Sequence, residues 1–162
     1  MDADPRHAVR AYRPADRDRF IAMLSSSDPW RTLGYATGDW QGLFDALETG
    51  DGRDAFVIGP PDEVLGAAIV RRPFLAGDYL EIFVIAEEAR RERLCQTLLA
   101  FLEARVFARA RNFFLCVSDF NLGARAFYHR AGYDEVGLLP NLLVPGRSEV
   151  LMRKTTGAAR GA

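Results

Sequence analysis

The sequence predicts one α/β domain in which helices cover a central mixed sheet, and three observations support this. The chain has 162 residues, 49% hydrophobic and 27% charged, enough to fill one core and keep a solvated surface. Apolar, β-branched runs of strand length follow one another between Ala55 and Ile85. Beyond Ala86 the apolar spacing becomes that of a helix, and strands and helices then alternate.

Val9-Arg10-Ala11-Tyr12 reads as a short first strand. Pro14 opens a helix, since its fixed φ suits a first turn, and Phe20, Ile21 and Leu24 form the apolar face. Ser25–Gly34, rich in Ser, Asp and Pro, reads as a loop carrying Trp30. Trp40, Leu43, Phe44 and Leu47 follow the i, i+3, i+4, i+7 spacing of a second helix, which Gly50 ends. Three strands come next, Ala55–Ile58, Leu65–Val70 and Tyr79–Ile85, separated by the turn at Gly59-Pro60-Pro61-Asp62 and by a loop with Pro73 and Gly77. Leu94, Leu98, Phe101, Leu102 and Val106 mark one face of a long helix expected to start near Arg90. Phe113–Val117 reads as a buried strand and Asn121–Arg130 as a shorter helix. Val136–Leu139 and Val150–Met152 close the sheet around a loop with Pro145-Gly146. The predicted order is β-α-α-β-β-β-α-β-α-β-β, an antiparallel meander feeding a β-α-β-α unit. The domain is expected over 9–154, with flexible ends at 1–8, including His7, and at 155–162.

Composition excludes several classes. The net charge is −1, and Lys154 is the single lysine, so no overall basic field marks a nucleic-acid binder. No apolar run approaches the roughly 20 residues that span a bilayer. The start Met1-Asp2-Ala3-Asp4-Pro5 is acidic where a secretory signal would be basic. Cys95 and Cys116 lie far apart, which argues against a disulfide framework or a metal site and for a reducing, cytoplasmic setting. Oligomeric state is left open, a homodimer included.

Two segments carry chemistry. In Tyr79–Ala100 a strand runs into a helix whose first turn carries Arg90, Arg91 and Arg93. The first N–H groups of a helix lack internal partners and its dipole makes that end positive, so phosphate binds there readily. Arginines at that end are otherwise mildly unfavourable, which favours an anion site over a merely solvated face. In Ser118–Tyr133, Asn121 suits a helix N-cap and Gly132 the position after the helix end, while Ala124, Phe127 and Tyr128 share one side. By itself this second segment is a capped amphipathic helix.

Taken together, the two segments resemble the GNAT superfamily of N-acetyltransferases. The second matches its Asn-x-x-Ala-x-x-Phe-Tyr-x-x-x-Gly-Tyr pattern through Asn121, Ala124, Phe127, Tyr128, Gly132 and Tyr133. The first corresponds to the family's Arg/Gln-x-x-Gly-x-Gly/Ala phosphate loop, with Arg93 and Cys95 where glycines usually stand. The resemblance implies an acetyl-CoA-dependent N-acetyltransferase acting on a primary amine of a small molecule or peptide, with no metal. The missing glycines leave a second reading, a family-fold protein that binds acyl-CoA or another anion without turning it over.

The resemblance also implies roles. Arg90, Arg91, Arg93, Leu94, Cys95 and Gln96 would hold pyrophosphate, and Phe83, Val84 and Ile85 would lie along the cofactor and polarise its carbonyl. Asn121, Ala124 and Phe127 would flank the pantetheine arm. Tyr128 is the expected general acid, its phenol protonated near neutrality. Glu81, an acid inside the apolar run Leu80–Val84, is the candidate base. An ordinary Glu and an ordinary amine differ by about six pKa units, roughly 8 kcal/mol for direct proton transfer, so Glu81 would need a raised pKa or a relay water. Equally, alternation could point Glu81 to solvent or a neighbouring strand. Asp28 and Trp30 are expected to meet the acceptor, by charge and by a cation–π face. Cys95 is expected to have a lowered pKa among arginines, whereas Cys116 reads as inert filling and His129 as surface.

Overall fold

A computed structural model describes residues 4–161. Seven strands form one sheet: β1 (Val9–Ala11), β2 (Arg53–Ile58), β3 (Gly66–Phe74), β4 (Gly77–Ile85), β5 (Asn112–Ser118), β6 (Asp134–Pro140) and β7 (Ser148–Thr155). Their spatial order is β1-β2-β3-β4-β5-β7-β6, with β4 and β5 parallel and every other neighbouring pair antiparallel. The helices are α1 (Arg17–Ser26), α2 (Trp30–Leu33), α3 (Thr37–Thr49), α4 (Leu94–Phe107) and α5 (Leu122–Arg130). The mixed sheet covered by helices is the architecture expected from sequence.

The helices pack through the residues that their spacing singled out. Phe20 and Leu24 of α1 and Phe44 of α3 are fully buried, and Tyr12 joins the two phenylalanines in an aromatic cluster. Each such side chain contributes roughly 1.5–3 kcal/mol by leaving water. Gly50 ends α3 with φ +82°, the left-handed conformation that glycine adopts without strain. On α4, Leu94, Leu98 and Leu102 are buried, and Phe101 meets Phe56 of β2 edge-on at 5.2 Å.

Several boundaries differ from expectation for identifiable reasons. The segment Ser25–Gly34 is not a continuous loop: α1 runs through Ser26, and Asp28 accepts from the Thr32 N–H, supporting the short helix α2. The loop expected around Pro73 and Gly77 is a tight hairpin in which Phe74 pairs with Gly77, so β3 and β4 are longer than their apolar runs. A Cβ on Gly77 would lie 2.1 Å from the Asn112 carbonyl oxygen, and this close approach seats β4 against the start of β5. Residues 4–8, expected to be loose, are anchored: Pro5–His7 form a 3-10 turn, Arg6 donates twice to Glu92 at 2.7 and 2.9 Å, and His7 Nδ1 lies 2.8 Å from Thr97 Oγ1. Met1–Ala3 and Ala162 fall outside the described residues. Thr155 belongs to β7, and the Thr156 N–H donates to the Arg111 carbonyl at 2.9 Å.

Candidate active site

The parallel strands β4 and β5 pair only at Asp78–Phe113, Tyr79–Phe114 and Leu80–Leu115. Beyond that point β4 continues to Ile85 and β5 to Ser118 without pairing to each other. A cause is visible in β4. Its register against β3 slips between Leu80 and Ile82, leaving Glu81 as the extra residue of a bulge, and a bulge bends and twists its strand. The strands diverge, and a cleft of about 940 Å³ opens between them. Along Ile82–Ile85, β4 bonds to β3 on one side only, so backbone groups on the other side remain free for a ligand.

At one end of the cleft lies the start of α4, represented in its wall by Arg90 and Cys95. Contrary to expectation, the arginines do not occupy the first helical turn. The helix begins at Leu94, and Arg90–Arg93 form the turn leading into it. Arg93 is the N-cap residue, at φ 59° and ψ 17°, and its side chain makes no capping hydrogen bond. The first-turn N–H groups of Leu94, Cys95 and Gln96 therefore have no intrahelical acceptor. Arg93 holds a left-handed conformation natural to glycine, at a cost of roughly 1–2 kcal/mol for an L-residue. The loop thus has a glycine-type shape at the position where glycine is missing.

The expected cofactor residues separate into two groups. Phe83, Val84, Ile85, Arg90, Cys95, Asn121, Ala124 and Phe127 line the cleft. Arg91, Arg93 and Gln96 are exposed outside its wall, and Leu94 is fully buried, so only its backbone could serve a ligand. The thiol of Cys95 departs from expectation. Burial pushes its pKa up and outweighs the opposing influence of Arg90, so the arginines do not activate it.

On the facing side, Asn121 Oδ1 accepts from the Ala124 N–H at 3.3 Å and caps α5 as the sequence suggests. Tyr128 is 7% exposed, packed edge-on against Phe83, Phe127 and Tyr133. Its hydroxyl makes no hydrogen bond among the described residues, yet it is not sealed from solvent as the Tyr133 hydroxyl is. Because Tyr128 lines the cleft, that hydroxyl is open to a ligand. Burial raises the phenol above its ordinary value and keeps it protonated.

Glu81 follows the structural alternative. Arg53 donates to it at 2.7 and 3.1 Å and Arg71 at 3.3 and 3.5 Å, so guanidinium groups from β2 and β3 occupy both carboxylate oxygens. A carboxylate so engaged is less free to take a proton from an amine, although Glu81 also lines the cleft. Asp28 is similarly committed. It accepts from Thr32 Oγ1 at 2.7 Å and from Arg31 at 3.3 Å, and these contacts hold its carboxyl below the usual range. Trp30 does face the cleft, edge-on to Trp40 at 5.9 Å, and Tyr35 stacks on Trp40 at 5.1 Å. His129 lies outside the cleft, 3.3 Å from Glu135.

Sequence reasoning missed Glu149. It is 4% exposed on β7, lines the cleft, and accepts from Ser118 Oγ at 2.6 Å. Burial raises its pKa, and the Ser118 hydrogen bond only partly opposes this. An acid beside the apolar run Val150–Met152 was the available signal.

These features coincide with a family match: the sequence profile of the Acetyltransferase (GNAT) family covers residues 10–133. The chain belongs to that family. Among solved structures, this GNAT protein is similar to a GNAT-family protein from Desulfovibrio desulfuricans at 21% identity and TM-score 0.78, covering 93% of this chain and 99% of that one. It is similar to an aminoglycoside 6'-N-acetyltransferase complexed with coenzyme A at 18% identity and TM-score 0.75, covering 96% and 99%. The ribosomal-protein-S18-alanine N-acetyltransferase from Escherichia coli matches at 15% identity and TM-score 0.75, covering 94% and 96%. At such identities the likeness is one of fold. No curated protein matches by sequence. Among the described residues no group of three or more His, Cys, Asp or Glu could hold a metal ion, and no helix is long and apolar enough to cross a membrane.

Proposed function

We propose that this GNAT acetyltransferase moves an acetyl group from acetyl-CoA to a primary amine of a small molecule or peptide. One observation carries the reading: a cleft made by the parting of β4 and β5 has uncapped helix N–H groups at one end and the unpartnered Tyr128 hydroxyl in its wall. The α4 start, with Arg90, suits the pyrophosphate by backbone donors, dipole and charge. The free backbone groups of β4 at Ile82–Ile85 suit the amides of a pantetheine arm, and Asn121 is spent on capping α5. When bound, the thioester supplies an activated acetyl group to a neutral amine. The coenzyme A complex of the aminoglycoside enzyme and the amine acceptors named for the two transferases above support this assignment.

Magnitudes decide what Tyr128 does. An ordinary thiol has a pKa of about 8.5 and an ordinary phenol about 10, so complete proton transfer to a departing thiolate is uphill by at least roughly 2 kcal/mol. Burial of Tyr128 increases that gap. Tyr128 therefore acts as a hydrogen-bond donor to the developing thiolate, and the proton that finally resides on sulfur comes from the amine nitrogen. The left-handed Arg93 speaks against a collapsed phosphate loop, and turnover with an amine is what separates the enzyme from a non-catalytic binder. The two free cysteines fit a reducing, cytoplasmic setting.

Calorimetric titration with acetyl-CoA, followed by thiol release with a panel of amines, tests the reading. Saturable binding and amine-dependent thiol release are expected. Absence of binding at millimolar acetyl-CoA would overturn it.

A further inference from the structure

Among the described residues four carboxylates line the cleft: Asp28, Asp39, Glu81 and Glu149. Asp28 is held by Thr32 and Arg31, Asp39 accepts from the Ala36 N–H at 2.7 Å, and Glu81 is held by Arg53 and Arg71. Glu149 differs. It is the most deeply buried of the four, and no described cation lies within 4.0 Å of it. Ser118 occupies Oε1, whereas Oε2 makes no hydrogen bond among the described residues and is not sealed off from solvent. A buried carboxylate without a cation is costly unless a cation arrives or a proton is taken up.

Its surroundings say what kind of cation. The cleft wall carries Trp30, Tyr35 and Trp40, with Leu43 from α3 and Leu142 and Leu143 from the β6–β7 loop. Both leucines of that loop are about half exposed, at 49% and 46%. Burial raises the Tyr35 phenol, and Asp39 and Glu149 raise it further, which places negative charge near that wall. A second or third positive charge on the acceptor would meet only carboxylates already engaged by this chain's own donors.

Resting on the acetyl-transfer reading, we propose that Glu149 binds and deprotonates the acceptor, a small monoamine whose apolar body packs on the Trp30–Tyr35–Trp40 wall. Glu149 Oε2 accepts one proton from the ammonium, leaving a neutral amine. The nitrogen then forms a C–N bond to the acetyl carbonyl carbon while the C–S bond breaks. A second nitrogen proton passes to the sulfur beside Tyr128, and Glu149 returns its proton to solvent. Elevation of the Glu149 pKa narrows the gap to the amine, and Ser118 fixes the orientation.

The test compares wild type with Glu149→Gln and Ser118→Ala, using phenethylamine and spermidine as acceptors and acetyl-CoA binding as a separate readout. Gln keeps an oxygen for Ser118, so the fold should survive. Wild type should prefer phenethylamine by at least about tenfold in kcat/KM, roughly 1.4 kcal/mol of discrimination. Glu149→Gln should bind acetyl-CoA normally, lose about 100-fold or more in kcat/KM for the amine, and lose the acidic limb of the pH profile, within the general-base range of about 10²–10⁴. Ser118→Ala, a milder variant that leaves the carboxylate in place, should shift that limb while retaining turnover. Normal amine kinetics in Glu149→Gln, or a preference for spermidine, would sink this inference while leaving acetyl transfer standing. Failure of wild type to bind acetyl-CoA would remove both.

Discussion

Replacing Tyr128 with Phe separates a catalytic hydroxyl from a structural one. The ring contacts to Phe83, Phe127 and Tyr133 would persist, because Phe fills the same volume. The hydroxyl has no partner among the described residues, so its removal leaves no donor or acceptor stranded. Folding stability should therefore be unchanged within about 0.5 kcal/mol. What would be lost is a hydrogen bond to a developing thiolate, worth about 1.5–3 kcal/mol when one partner is charged. At about 1.4 kcal/mol per factor of ten, kcat should fall roughly 10- to 150-fold. KM for acetyl-CoA should hardly move, since ground-state sulfur is a poor acceptor. Steady-state thiol release with a saturating amine, alongside denaturant unfolding, reads both quantities. A kcat within twofold of wild type would refute the role of Tyr128. A loss of several kcal/mol in stability would show that the hydroxyl is structural.

Other substitutions probe the remaining assignments. Glu81→Gln removes the charge facing Arg53 and Arg71, and should cost about 1–2 kcal/mol, or roughly 2–8 °C in Tm, with kcat kept within about threefold; a tenfold loss of kcat without a thermal shift would restore Glu81 as the base. Arg90→Ala should weaken acetyl-CoA binding about tenfold by calorimetry, whereas Arg91→Ala, outside the cleft wall, should change it by less than about threefold. Equal effects of the two would mean that bulk charge, not the cleft, sets affinity. Arg93→Gly should relieve left-handed strain of about 1–2 kcal/mol, partly offset by the greater unfolded-state freedom of glycine, for a net gain of roughly 0.5–1 kcal/mol. A lower Tm would show that the Arg93 side chain makes a compensating contact.

What the sequence revealed was mostly local. Asn121 could be recognised as a cap because its partner, the Ala124 N–H, is three residues away. The apolar faces of α1, α3 and α4 could be read because helical spacing repeats within each segment. The fate of Glu81 could not, because the guanidiniums that hold it come from positions 28 and 10 residues distant, brought near only by pairing of β2, β3 and β4. Glu149 was hidden for the same reason. Its environment depends on the register Ser118–Glu149 between β5 and β7, and pairing order does not follow from apolar runs. The Arg90–Arg93 turn was read as helix because it adjoins the helical spacing that begins at Leu94, whereas the chain there turns through a left-handed Arg93.

The same cleft gathers departures from local rules: the bulge at Glu81, the strand edges left unpaired beyond Leu80 and Leu115, the left-handed Arg93 and the buried, uncompensated Glu149. Departures of this kind concentrate where a protein binds or reacts. The carboxylate in the cleft and one outside it respond oppositely to pH. Asp16, whose carboxyl is held low chiefly by Arg10, stabilises the fold above its unfolded pKa, and that contribution is lost as pH falls through the folded value. The raised Glu149 behaves in reverse: its cost is absent below the unfolded pKa of about 4.3 and fully present once pH exceeds the folded value. A stabilising ion pair thus sits near the start of α1, while the carboxylate that destabilises near neutrality faces the space where a cationic acceptor would neutralise it. Binding of such an acceptor would relieve the cost, so the strain at Glu149 is a term favouring ligand over empty protein.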